Sequence, residues 1–488
     1  MKTDVATNQG PRLHEHTFNM LTRRRFLSGS CALGVAAVAS PLVSSARTTG
    51  NPAHPGYRAI VCILLGGGND SFNMLVPHGR RQYNAYQSMR GDLALERREL
   101  LELPVSDADG YRLALHPGMQ ELHELYSAGR AAIVTNVGTL SRPLNVRTAH
   151  ASLPVEPMAH AAQLTQWQSC GPISSSTGWA GRIADLMQTD SGKHRRALNL
   201  SLSGNNILQI GDRTSPVQIE SASRRCPQIP AGVDFRYLNN QLATQLESPA
   251  SRNTSTRFAR SQRYINDDTL RAIAEAPALP QEVSTLFADD PLSRQLADVT
   301  RIIAARSSTA GKRQIFFVQF DGWDHHHELL RNQAVMLPML SGGLKSFHDA
   351  LQALDVLDDV TTFTTSEFGR SLVSNGSGSD HGWGGNQIVM GGSVNGGNLL
   401  GDYPEISTDS PLHIGGGTIA PTTANEEYFA ELALWLGLPP AGLLKVFPNL
   451  GALRKRGNST QRRGHRRRCP APRCHGCTEA ARKPKNTR

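Results

Sequence analysis

Acids and histidines gather in one stretch of the chain, between Gln314 and Gly392. Asp321-Gly-Trp-Asp324-His325-His326-His327 comes first, Ser366-Glu367-Phe-Gly-Arg370 second, and Ser379-Asp380-His381-Gly-Trp-Gly-Gly third. Imidazole and carboxylate together form the donor set of Zn²⁺ and other first-row divalent ions. Taken alone, the Asp321–His327 run reads equally well as a solvated loop, because histidine runs bind metal adventitiously. Its pairing with Glu367 and with Asp380-His381 favours the metal.

The segments between these points would position them. Gln314–Phe320 and Asp359–Thr365 are short apolar runs rich in Phe, Val and Thr, the pattern of strands buried on both faces. Between them Leu337, Leu340, Leu344, Phe347, Leu351 and Leu354 recur at spacings of three and four, which predicts a helix of about five turns. Strand, helix, strand is a βαβ unit with a parallel pair, so the two strand ends are expected side by side. Asp324, His326 and Glu367 would converge there, at the carboxyl edge where open α/β sheets build their sites. The loop carrying Asp380 and His381 would fold back over them.

An earlier strand, Arg58–Leu65, runs into Gly66-Gly-Gly-Asn-Asp70. No Gly-Lys-Ser/Thr follows, so this is not a nucleotide-binding loop. Asp70 either caps the next segment or serves as a ligand from the first strand. Further strands are expected at Ala131–Asn136, Ala197–Leu202 and Gln387–Gly391. Helices are expected after His116-Pro-Gly-Met119, after Gly178, around Leu292–Ile303 and over Asn425–Leu436.

The chain has 488 residues and a formal charge of +10. From Gly451 onward there are thirteen Lys/Arg against Glu479 alone, so the tail carries +12 and the rest sums to −2. A near-neutral body gives no argument for nucleic-acid binding. Residues 451–488 are expected to be a basic disordered tail, because they have almost nothing to bury. Its Cys469, Cys474 and Cys477 could otherwise hold zinc. Thr22-Arg23-Arg24-Arg25-Phe26-Leu27 precedes a mildly apolar stretch and Ser44-Ser-Ala46, the layout of a twin-arginine export signal over residues 1–46. The twin-arginine machinery would then be a partner, and the location periplasmic or otherwise exported. No other long apolar run is present, so no transmembrane span is expected. Cys62 is expected to be packed in a strand, and Cys170 and Cys226 could pair in an oxidising compartment. The body reads as one α/β domain over residues 56–450, with a partly helical insertion at roughly 205–290.

These motifs, in this order, resemble an exported bacterial family, domain of unknown function 1501. The resemblance rests on Gly-Gly-Asn-Asp70, Gly-Trp-Asp324-x-His326, Ser-Glu367-Phe-Gly-Arg370, Asp380-His381-Gly-Trp-Gly-Gly and Pro421-Thr-Thr423. That family is similar in turn to the alkaline phosphatase superfamily of phosphatases, sulfatases and phosphomutases. The likeness implies an alkaline-phosphatase-like fold: a mainly parallel sheet flanked by helices, with one or two divalent ions (Zn, Mn or Ca) at the strand ends. Asp70, Asp324, His326, Glu367, Asp380 and His381 would hold them, and Asp321 with His325 is an alternative pair at the middle strand.

Arg370 would clamp a small anionic ester or form a surface salt bridge. His160 would serve as ligand, proton donor or structural histidine. Two departures stand out. Phe368 occupies the place of a superfamily histidine, and Ala159-His160-Ala161-Ala162-Gln163 lacks the hydroxyl and acid of the family's Ser-His-x-Asp-Gln. Thr139, Ser141 and Ser152 are fallback nucleophiles. The implied activity is metal-dependent hydrolysis of phosphate or sulfate esters. The alternative is a catalytically silent exported binding or scaffold protein that keeps the fold.

Overall fold

A computed structural model describes residues 56–106, 110–144, 153–154, 156–187, 198–219, 273, 275–309 and 312–453. The proposed leader, nearly all of the basic tail, Ser152, Cys226 and the centre of the proposed insertion lie outside these residues.

The central sheet has nine strands. They are β1 (Arg58–Gly66), β5 (Ala131–Gly138), β6 (Asn199–Ser201), β7 (Val217–Gln218), β8 (Arg313–Asp321), β9 (Val360–Thr365), β12 (Gly385–Gly391), β13 (Leu399–Leu400) and β14 (Thr423–Ala424). The order is β13-β5-β12-β9-β1-β8-β6-β7, with β14 beside β5. Neighbours run parallel except at β12, which is antiparallel to both β5 and β9. The fold is therefore a mainly parallel sheet flanked by helices. Two small antiparallel sheets accompany it. One is built from β2 (Leu75–Pro77), β3 (Leu101–Ser106) and β4 (Arg112–Leu115), the other from β10 (Arg370–Ser374) and β11 (Ser379–His381).

One sequence expectation is corrected here. β8 and β9 are not neighbours, because β1 lies between them and pairs in parallel with both. The physical reason lies in β1 itself. All but its first residue are buried, so it needs a partner on each edge and a packed layer on each face. The register sets Gly66 beside Asp321 and Leu64 beside Thr365. The glycine-rich turn after β1 thus stands between the Asp324 loop and the Glu367 loop.

Side chains alternate between the two faces. Ala59, Val61, Ile63 and Leu65 of β1, with Phe316, Val318 and Phe320 of β8, pack against the helices Pro291–Ala304 and Leu329–Ala353. Ile60, Cys62 and Leu64, with Ile315 and Phe317, face the helices Trp179–Met187 and Asn425–Leu436. There Trp179 stacks on Phe429 at 4.8 Å between ring centroids. Fully burying each such side chain contributes roughly 1.5–3 kcal/mol, which is the main source of the sheet's stability.

The helix predicted at about five turns is longer, with 25 residues from Leu329 to Ala353. Its extra turns precede the apolar stripe and hold Gln333, whose Nε2 donates to the Asp70 carbonyl at 2.8 Å. Asp290 caps the preceding helix by accepting from the backbone N–H groups of Leu292 and Ser293, both at 2.9 Å. Cys62 and Cys170 are buried. Among the described residues no helix is long and apolar enough to cross a membrane.

Candidate metal centre

Four loops meet at the carboxyl end of β1, β8 and β9, and Asp324 stands at their centre. Its Oδ1 lies 3.1 Å from His326 Nε2, 3.2 Å from His381 Nε2 and 2.9 Å from an Arg370 nitrogen. Its Oδ2 lies 3.5 Å from His160 Nε2. The hairpin β10–β11 delivers His381, because its register sets Arg370 opposite His381. The helix His160–Ser169 delivers His160 from its first position.

Glycine allows this convergence. Gly67 has φ +117° and Gly68 φ +84°, both left-handed. A Cβ on Gly67 would strike the backbone nitrogen of Asp324, and one on Gly68 would strike the Phe368 ring. Gly67 also donates its N–H to Glu367 Oε1 at 2.8 Å, and the same oxygen lies 3.0 Å from His160 Nδ1. Glu367 Oε2 is buried with no hydrogen-bond partner among the described residues.

Electrostatics follow from these contacts. Burial opposes the charge on Asp324, but the hydrogen bonds from His160, His326 and His381 and the Arg370 cation outweigh it, holding the carboxyl well below the usual range. Burial likewise opposes protonation of His160, yet its bonds to Asp324 and Glu367 raise it to about 9.

The donor set fits a cation. A carbonyl oxygen can only accept, so His381 Nδ1, 2.7 Å from the Met158 carbonyl, carries that ring's proton in the neutral form. The Nδ1 atoms of His160 and His326 face carboxylates at 3.0 Å from Glu367 and 3.4 Å from Asp380. A cation that displaced the Nε2 protons now bonded to Asp324 would leave each ring its proton on Nδ1 and an Nε2 lone pair as ligand. Two of these atoms, on His326 and His381, stand only 2.8 Å apart. At that separation one ring donates its Nε2 proton to the other, and a cation ligated by both would take that proton's place. Ligand atoms of His160, Asp324 and His381 all fall within 4.8 Å of one another, a spacing suited to one divalent ion.

The remaining candidates are placed differently. Asp70 is fully buried in an ion pair with Arg90, and its Oδ1 has no hydrogen-bond partner among the described residues. Asp380 is exposed and accepts from Asn375 Nδ2 at 3.2 Å. Asp321 accepts from Gln319 Nε2 at 2.6 Å, and burial pushes it up to about 6. His325 is buried, with its ring 5.9 Å from that of Trp323, and burial lowers it to about 3. Of the two pairs left open by the sequence, Asp324 and His326 sit with His381, whereas Asp321 and His325 do not.

Arg370 is buried rather than on the surface. Besides Asp324, it donates to the carbonyls of Gly67 at 3.1 Å and Ser379 at 3.0 Å. Thr139 gives its hydroxyl to Gln163 at 2.8 Å. Sequence reasoning missed the contribution of Phe368. Its ring stacks on His381 at 4.5 Å and leans on His160 at 4.9 Å, forming an apolar wall beside the two histidines. It also missed the Met158 carbonyl, since a backbone acceptor leaves no mark in sequence.

The chain belongs to the family described as "Protein of unknown function (DUF1501)", whose model matches residues 57–415. No curated protein matches it in sequence. Among solved structures, it is similar to the lipoteichoic acid synthase LtaP from Listeria monocytogenes at 7% identity and a TM-score of 0.29, covering 81% of this chain and 76% of that one. It is also similar to Ps i-CgsB, solved with k-i-k-neocarrahexaose, at 8% identity and a TM-score of 0.30, covering 79% and 74%. Superpositions this loose assign neither activity nor substrate.

Proposed function

We propose that the protein is an exported metal-dependent hydrolase of phosphate or sulfate esters. The observation that carries the reading is the convergence of the His160, His326 and His381 Nε2 atoms on the Asp324 carboxylate. Asp324 and those histidines would hold a divalent zinc, manganese or calcium ion. Such an ion supplies Lewis-acid charge to an anionic ester and lowers the pKa of an oxygen nucleophile.

The chain's own residues prepare the site. Arg370 ties the Asp324 loop to the β10–β11 hairpin through donors at fixed angles, so the carboxylate is set before substrate arrives. Phe368 keeps water from one side of the His160 and His381 rings. The helix beginning at His160 aims its positive end at the site, which favours an anionic group. Export by the twin-arginine route to the periplasm belongs to the same proposal, carried by Arg23, Arg24 and the apolar stretch after them. A protein that folds before export can take up its metal beforehand.

A second reading is favoured by one observation. Ala159, at the cap of the His160 helix, has no hydroxyl to serve as nucleophile. A catalytically silent binding or scaffold protein would keep the metal and turn nothing over. Metal-loaded protein, wild type and Asp324→Ala, should be assayed against phosphate and sulfate monoesters and diesters. Hydrolysis by wild type alone supports the enzyme. Stoichiometric metal without turnover of any ester supports the silent protein.

A further inference from the structure

We infer that Glu367 and Asp380 are positioning residues, not metal ligands, and that the centre takes a single ion. The inference rests on the metal-site reading above and assigns roles within it.

Each imidazole at the centre is held from behind. Glu367 Oε1 faces His160 Nδ1 at 3.0 Å, Asp380 Oδ1 faces His326 Nδ1 at 3.4 Å, and the Met158 carbonyl faces His381 Nδ1 at 2.7 Å. All three acceptors lie on the far side of their rings from Asp324. Holding Nδ1–H in this way fixes the tautomer, aims Nε2 and raises its basicity. The oxygen that faces Nδ1 is separated by the ring from the point where the Nε2 atoms meet, and of Glu367 only Oε2 is left without a partner among the described residues. Glu367 Oε1 is further committed to the Gly67 N–H at 2.8 Å. Asp380 is likewise engaged by Asn375 at 3.2 Å.

Of the expected carboxylate ligands, a second ion would find only Glu367 Oε2 and Asp70 Oδ1 buried without a partner among the described residues, too few donors to hold it. Asp70, the remaining carboxylate expected as a ligand, already has its charge balanced by Arg90 at Oδ2. Phe368 fills the space beside Glu367 with a ring packed against Gly68, His160 and His381. An aromatic ring offers no ligand atom, so the wall that orders the two histidines also bars a neighbouring cation.

The test is Co²⁺ titration of the full chain carrying Cys469→Ser, Cys474→Ser and Cys477→Ser, so that the tail supplies no thiolate. Visible absorption reports coordination, and elemental analysis reports stoichiometry. Wild type should saturate at one equivalent. Glu367→Ala should also saturate at one equivalent with unchanged band positions, while binding about 10–100-fold more weakly. Glu367→Gln, which keeps an acceptor for Nδ1–H and is close in shape, should recover part of that loss and guards against misfolding of the Ala variant. Asp380→Asn should keep the bands too. Two equivalents in wild type, or a changed spectrum in Glu367→Gln, would overturn the inference. Affinity unchanged in Glu367→Ala would overturn it as well. No Co²⁺ bound by wild type would overturn the metal-site reading itself, and this inference with it.

Discussion

The Nε2 atoms of His326 and His381 stand 2.8 Å apart, and each also lies within 3.2 Å of Asp324 Oδ1. The two histidines come from different loops, one after β8 and one at the end of the β10–β11 hairpin. Nothing in either loop alone would bring two imidazoles edge to edge. The approach is imposed by Arg370, which pairs in register with His381 and donates to Asp324. Sheet, hairpin and buried guanidinium together gather a carboxylate and three imidazoles at one point.

Arg370 should therefore act first on stability. Its side chain is fully buried and its guanidinium holds the carbonyls of Gly67, Gly68 and Ser379 and a carboxylate. Arg370→Ala leaves Asp324 without its cation and orphans the Ser379 and Gly67 carbonyls, and should cost about 3–5 kcal/mol. Arg370→Lys should rescue little, because an ammonium cannot span those partners. Denaturant unfolding of the metal-free proteins measures both. A Lys variant as stable as wild type would contradict the assignment.

Gly68 and Phe368 should be coupled. Gly68→Ala meets the Phe368 ring and adopts φ +84°, so it should destabilise by about 1–3 kcal/mol. Phe368→Ala should cost about 3–5 kcal/mol through the cavity it leaves. In the double variant the new methyl finds that cavity, and the costs should sum to less than the separate losses by more than about 0.5 kcal/mol. Strict additivity in thermal or chemical melts would show that the ring is not what excludes a side chain at position 68.

The Asn425–Leu436 helix predicts a pH dependence away from the metal centre. Glu426 is buried, and burial raises its carboxyl to about 7, against the hydrogen bonds that Asn449 gives it and the more distant Arg182 charge. Its folded pKa lies above the unfolded one, so folding favours the protonated form. That contribution is fully present below pH 4.5 and is lost as pH rises through about 7. Glu426→Gln should remove this slope and raise stability at pH 8 relative to wild type, by at most about 3 kcal/mol. Melting temperatures of both proteins between pH 5 and pH 8 on the scale of this shift would check it. Parallel profiles for the two proteins would refute it.

Local pattern carried much of the fold. The apolar runs of β1, β8 and β9 and the leucine stripe of the Leu329–Ala353 helix are periodic signals set by burial, and the elements lie where those signals fall. Strand order was not legible, because the βαβ pattern says that two strands are parallel, not whether a third lies between them. The hairpin β10–β11 was hidden for another reason. Its strands are short, and Ser379-Asp380-His381 has neither apolar alternation nor a branched residue.

Within the site, residue type pointed to Asp324, His326 and His381, since few other functions need acids and imidazoles after successive strands. The division between Asp324/His326 and Asp321/His325 needed coordinates, because both pairs have workable spacing. His160 lies 207 positions before Glu367, and only tertiary packing brings the two together. The engagement of Asp70 by Arg90 was equally out of reach, as buried partners twenty positions apart share no periodic signature.

The most direct test of the account is metal content. The protein lacking residues 1–46 and carrying no histidine tag should be purified without added metal and analysed by elemental mass spectrometry. It should be compared with the Asp324→Ala/His381→Ala double variant, with folding of both checked by circular dichroism. The account predicts close to one zinc, manganese or calcium per wild-type chain and a loss of that ion in the variant. Folded wild-type protein that holds no divalent ion, even after reconstitution, would contradict it.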